Sequence, residues 1–208
     1  MRILYKCEAG SRAWGYAQPT SDSDVRFIFV RPLDDYLSLS ATATTEMGGY
    51  GWDLKKALGL FLKSNVSLLE CLRSPIIYID EGLREQLLTL VDDYYSPRAV
   101  GFSYLRNTGA PTSGKEYLQV LRPLLSCNWV CTTGELPPVD IRDLLKCDVD
   151  TCIKDTVMSL LANRDAKLHI GINSSIAFLH RKLKEICIDL PVVYGPVGPL
   201  NELFRSWL

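Results

Sequence analysis

The hydrophobic pattern of this 208-residue chain changes period at Trp52, and that change limits the folds open to it. Before Trp52 the apolar residues come in short runs of β type. Arg2 to Cys7 reads as one strand and Val25 to Val30 as a second, rich in β-branched and aromatic residues. Between them lie a turn at Glu8-Ala9-Gly10, a short helical stretch from Ser11 to Ala17, and a loop from Gln18 to Ser21. Pro32 opens a helical turn through Leu37. The threonine-rich stretch from Ala41 to Met47 reads as a third strand, and Gly48, Gly49 and Gly51 read as a sharp turn. From Trp52 onward, Leu54, Ala57, Leu58, Phe61 and Leu62 fall at helix spacing. After a helical turn at 67–72 and a short strand at 76–79, helices are expected over 81–94, 97–107, 115–127, 139–146, 150–163 and 174–188. Strands first and helices later predict an α+β fold with a helical C-terminal half. Breakers at Gly109-Ala110-Pro111 put the boundary there, giving regions 1–110 and 111–208.

Charge narrows the function. With 23 Lys and Arg against 24 Asp and Glu, the formal net charge is -1. That excludes a pervasively basic surface, so any contact with nucleic acid must come from a local patch. The seven cysteines are odd in number, with no secretory signal before them, which leads us to expect free thiols in a reducing, cytoplasmic compartment. Cys127 and Cys131 can share a helix face, but zinc sites usually show tighter Cys-x-x-Cys knuckles or paired His. No apolar stretch reaches the ~20 residues that a membrane span needs.

The segment that carries chemistry is Gly10-Ser11-Arg12, followed after a loop by Asp22-Ser23-Asp24. Two aspartates at i and i+2 on a strand project from one face and can reach the same ions. Oxygen ligands of this kind suit Mg²⁺. A Gly-Ser turn before a helix offers backbone N–H groups and a hydroxyl to an anionic phosphate. Taken alone, an Asp-x-Asp pair is more often a solvated turn. The order and spacing of the two features are more specific than either. Neither a P-loop nor a Gly-x-Gly-x-x-Gly loop is present, and nothing pairs His169 or His180 with a nucleophile.

Together these residues resemble the pattern of the DNA polymerase β-like nucleotidyltransferase superfamily: an apolar strand, Gly-Ser, a gap, then Asp-x-Asp. The chain is similar to one branch in particular, the bacterial and phage nucleotidyltransferases associated with RNA ligases in RNA repair. The matching segments are 10–15, 21–27, 51–58 and 62–65, then 115–118, 121–125, and Trp129 followed by Pro137-Pro138.

This resemblance implies a polymerase β-like core, a small mixed sheet with flanking helices, whose helical C-terminal region completes a nucleotide cleft. It implies a nucleotidyl group moved from an NTP to an acceptor hydroxyl, either an RNA end or a protein hydroxyl. A nucleotide-binding protein without catalysis is the alternative. Asp22 and Asp24 are the expected ligands of two Mg²⁺ ions, for which Mn²⁺ can stand in. Asp53 is the expected third ligand or base, with Glu46 as its rival and a helix N-terminal charge as the plainer role for Asp53. Gly10, Ser11 and Arg12 are expected at the triphosphate. Lys115 and Arg122, two helical turns apart, are expected to neutralise phosphate charge, or else to lie on a solvated face. Lys55, Lys56 and Lys63, with Arg12 beside the phosphate turn, are candidates for RNA contact, and Ser64-Asn65 for substrate contact or a cap.

Overall fold

The computed structural model describes residues 1–38, 50–106 and 111–208. The stretch expected as a third strand, and Glu46 with it, lies outside the described residues. The chain forms two compact units, Met1–Tyr95 with Val193–Leu208, and Ser96–Val192.

Unit 1 is built on a four-stranded mixed sheet. Its strands are β1 (Arg2–Glu8), β2 (Val25–Val30), β3 (Tyr50–Asp53) and β4 (Ile77–Asp80), in the order β3-β2-β1-β4. β1 runs antiparallel to β2 and to β4, and β2 runs parallel to β3. The antiparallel register sets Glu8, at the end of β1, opposite Val25, at the start of β2. The short helix α1 (Gly10–Ala13) and the loop after it close that return. β3 begins where the glycines predict only a turn. Gly51 pairs with Phe27, and a Cβ on Gly51 would lie 2.2 Å from the Phe27 ring, so the bare backbone lets the aromatic side chain cover the neighbouring strand.

Helix α2 (Leu33–Leu37) follows β2, and α3 (Leu54–Phe61) packs on β2 and β3 through the buried Leu54, Ala57, Leu58 and Phe61. Helices α4 (Val66–Leu72) and α5 (Leu83–Tyr94) pack on β1. Full burial of side chains such as Leu54, Phe61, Leu68 and Leu72 supplies about 1.5–3 kcal/mol each. The Tyr5 hydroxyl donates to Cys71 O at 2.7 Å, so a buried phenol is satisfied where β1 meets α4.

Unit 2 holds α6 (Pro97–Tyr104), α7 (Gly114–Thr133), α8 (Ile141–Leu144), α9 (Thr151–Ala162) and α10 (Ile172–Asp189). The long α7 is the centre, packed by the other four, with Leu118, Leu121, Leu125 and Val130 buried. It continues past Cys127, where the sequence pattern predicts its end, to a left-handed C-cap at Gly134. A last helix, α11 (Val197–Ser206), was not expected from sequence. It packs on α3 in unit 1, and the Trp207 indole just after it donates to Gln86 at 2.9 Å. The units therefore divide after Tyr95 and not at 110. α6 has its packing partners in α7 and α10, whereas α11 has its partner in α3. No helix among the described residues is long and apolar enough to cross a membrane.

Candidate active site

The β1–β2 return brings the Gly-Ser turn against the aspartate loop. Gly10 has φ +60°, and a Cβ there would lie 3.2 Å from both Cβ and Oδ2 of Asp24. Ala9 N donates to Asp24 O at 2.8 Å, which ties the two segments at the backbone. Asp22 and Asp24 lie in the loop just before β2, not on the strand itself. Asp24 is partly exposed and carries a bidentate pair from Arg26, with Nε 2.9 Å from Oδ1 and Nη2 3.1 Å from Oδ2. Asp22 is exposed, and among the described residues no hydrogen bond or ion pair holds its carboxylate. Ser11 is half-buried beside Gly10. Arg12 is exposed and donates to Ser21 O at 2.8 Å, bracing the aspartate loop from the helical side.

Beneath this loop sits a residue that the sequence pattern does not single out. Glu8 is fully buried. Its Oε1 accepts from Asp24 N at 2.7 Å, and its Oε2 accepts from Ser23 Oγ at 2.8 Å and from the Tyr78 hydroxyl of β4. Burial pushes the Glu8 carboxyl up. The bonds from Tyr78, Ser23 and Asp24 N, with the charge of Arg12, outweigh burial and hold it below the usual carboxylate range. Glu8 is thus an anionic post that fixes the backbone of Asp24. Its one sequence signal is an acid at the end of an otherwise apolar strand, directly before the Gly10 turn.

Asp53 is placed elsewhere. It ends β3, opposite Phe29, and Phe29 is five residues along β2 from Asp24. At about 3.3 Å per residue that is on the order of 16 Å, beyond the reach of one metal site. Its oxygens are engaged: Oδ1 accepts from Lys55 N at 2.9 Å as the N-cap of α3, and Oδ2 accepts from the Tyr36 hydroxyl at 2.7 Å. The Arg31 guanidinium lies 3.4 Å from Oδ2. Burial first, and then the bond to Asp53, push the Tyr36 phenol up to about 12. In this structure Asp53 is the N-cap of α3 within a partly buried polar cluster with Tyr36 and Arg31, apart from the Asp24 loop.

Of the remaining candidates, Arg122 is 3% exposed and directs Nε and Nη2 to Val139 O, both at 3.1 Å, inside unit 2. That guanidinium fastens α7 to the segment before α8. Lys115, in the first turn of α7, is exposed. The shared face that their spacing predicts is therefore divided between solvent and core. Ser64 donates to Tyr94 O at 2.6 Å, and Asn65 Oδ1 caps α4 by accepting from Leu68 N at 3.1 Å, so both act within the fold. Lys55, Lys56 and Lys63 are exposed on and just after α3. The histidine pattern also missed a pairing: His169 Nδ1 lies 3.1 Å from Cys152 Sγ.

A model of the RNA repair pathway DNA polymerase beta family, RlaP, matches residues 1–189. The chain belongs to this family. RlaP membership points to a polymerase β-like nucleotidyltransferase role in RNA repair. Among curated proteins, the uncharacterized protein YcgL of Bacillus subtilis (strain 168) is 33% identical, over 87% of this chain and 76% of the relative. No solved structure matches the chain.

The donor set of this RlaP chain fits a divalent cation of the Mg²⁺ class. Two carboxylates stand in one short loop, one of them unengaged among the described residues, and Gly10 leaves open the face of Asp24 that a side chain would fill. Gly10→Ala tests that fit. The left-handed backbone costs a side chain about 1–2 kcal/mol, and the new methyl would press on the Asp24 carboxylate. We expect lower stability of that order and a weakened Mg²⁺ dependence of turnover. Unchanged melting and unchanged turnover would show that the close approach does not matter.

Proposed function

We propose that this protein transfers a nucleotidyl group from a nucleoside triphosphate to a hydroxyl at an RNA end, releasing pyrophosphate. The observation that carries the reading is the seating of Asp24 against Gly10 in a chain of the RlaP family. In this reaction the acceptor oxygen bonds to the α-phosphorus as the bond to the pyrophosphate oxygen breaks, and the hydroxyl proton passes to solvent. Asp22 and Asp24 would hold Mg²⁺, which when bound supplies positive charge to the triphosphate and its leaving group. The Ser11 hydroxyl and the backbone N–H groups at Gly10 and Ser11 would meet the phosphates. α1 is a single turn, so local donors and not a long helix dipole do this. Arg26 neutralises Asp24 when no cation is bound, and Glu8 keeps the loop in place.

The test is incubation with α-labelled NTP, Mg²⁺ and RNA with defined ends. Label on RNA together with pyrophosphate release supports the reading. Label on a protein would move the acceptor to a protein hydroxyl. NTP binding without pyrophosphate release would make this a nucleotide-binding protein without catalysis.

RNA contact can be measured separately. With a net charge of -1 the chain has no long-range attraction for RNA, so binding would rest on a few cations such as Lys55, Lys56 and Lys63. Each contact to a single strand contributes about 0.7 to the log-log salt slope. A Lys55→Glu, Lys56→Glu variant is expected to bind labelled single-stranded RNA more weakly and with a shallower slope than wild type. Equal affinity and slope would remove this face as the acceptor site.

A further inference from the structure

In unit 2, three cysteine thiols from two helices meet at one point. Cys127 and Cys131 lie one turn apart on α7, and α10 brings Cys187 to them. Cys187 Sγ is 3.6 Å from Cys127 Sγ and 3.6 Å from Cys131 Sγ, and all three sulfurs lie within 4.8 Å of one another. Cys127 and Cys187 are fully buried, and Cys131 is half-buried. α6 leaves room for the cluster at Gly101, where a Cβ would lie 2.7 Å from Cys187 Sγ. Nothing in nucleotidyl transfer by the Asp24 loop uses these residues.

We propose that Cys127, Cys131 and Cys187 form a zinc site, three thiolates with an open fourth position, that joins α7 to α10. The spacing fits the ion. With Zn–S bonds of about 2.3 Å, a tetrahedral centre holds its sulfurs about 3.8 Å apart, close to the two distances of 3.6 Å. A disulfide would need about 2.05 Å, and all three thiols are free. Soft thiolates select Zn²⁺ or Cu⁺ over Mg²⁺. Charge favours the divalent ion, because three thiolates leave -1 around Zn²⁺ and -2 around Cu⁺, and buried net charge is costly. On binding, each thiol releases its proton to solvent as its sulfur bonds to zinc. Solvent would supply the fourth ligand from the Cys131 side, which is the open one.

The spacing within α7 does not carry this site, since Cys-x-x-x-Cys is looser than the usual zinc knuckle. The third ligand comes from a separate helix, and only packing reveals it.

The experiment uses the full chain, reduced and stripped with chelator, then titrated with Zn²⁺ and, as a spectroscopic probe, with Co²⁺. Wild type is expected to take up about one Zn²⁺ per chain, to release protons, to show thiolate-to-cobalt charge transfer, and to melt at higher temperature when loaded. Cys187→Ser and Cys131→Ser should each lose at least about 100-fold in Zn²⁺ affinity. Cys131→Ser changes a half-buried position, so it reads ligation even where Cys187→Ser disturbs the core. Cys147→Ser, outside the cluster, should bind as wild type does. Absence of Zn²⁺ uptake by the reduced wild type would overturn the proposal. So would wild-type affinity in Cys131→Ser and Cys187→Ser, or cobalt spectra without thiolate charge transfer.

Discussion

Asp24→Asn is expected to lower nucleotidyl transfer by about 100-fold or more, the usual range for removing a principal electrostatic group. Asp24 is the carboxylate that the fold seats against the Gly10 turn, so it is the one best placed to share a cation with a bound triphosphate. An amide in its place leaves that charge poorly compensated. Stability should change far less. The Asp24–Arg26 pair is partly exposed, and such pairs are worth roughly 0–1 kcal/mol. The reading therefore predicts a large loss in turnover with nearly unchanged melting. Measurement of pyrophosphate release and of thermal unfolding on the same preparation separates the two. Normal turnover in this variant would rule out the proposed site, whatever the RNA-binding results.

Glu8→Ala should do the reverse and damage the fold first. It removes the acceptor for Asp24 N, Ser23 Oγ and the Tyr78 hydroxyl at once. Hydrogen bonds to a charged group contribute about 1.5–3 kcal/mol. The Ser23 and Tyr78 donors can turn to water, so a total loss of about 2–3 kcal/mol is expected. At roughly 2–4 °C per kcal/mol for a chain of this size, melting should fall by about 4–12 °C. Turnover should fall too, because the backbone of Asp24 is no longer held. The effect also depends on pH. Glu8 is held below the ordinary carboxylate range, so its contribution is complete above that range. It is lost as pH falls from the ordinary value toward the lowered one. The stability gap between wild type and variant should therefore narrow across that acidic window. A gap that is absent at neutral pH, or constant into acid, would contradict the role given to Glu8.

Local pattern settled a good deal of this protein. The run Val25–Val30 could be read as β2, and the spacing from Leu54 to Phe61 as α3, because alternation and helical period are written in neighbouring side chains. The Gly10-Ser11 turn and the Asp22/Asp24 pair could be read together for the same reason, and they carried the family resemblance. Partners chosen over long range could not be read. β3 is hidden by Gly51, which looks like a turn until the Phe27 ring is seen to cover it from the next strand. Asp53 reads from sequence either as a metal ligand or as a helix N-terminal charge, and only the parallel register sets it opposite Phe29, where Tyr36 and Lys55 N engage its oxygens. Arg122 looked open to phosphate until Val139 O was found holding it inside unit 2. α11 owes its place to α3, and Glu8 its buried charge to Ser23, Asp24 and Tyr78 from the two adjoining strands and their loops. Sequence determined segments such as β2 and α3, whose pattern depends on residues a few positions apart. Only the tertiary structure decided which polar side chains meet one another, because register and helix docking bring together groups that are distant along the chain.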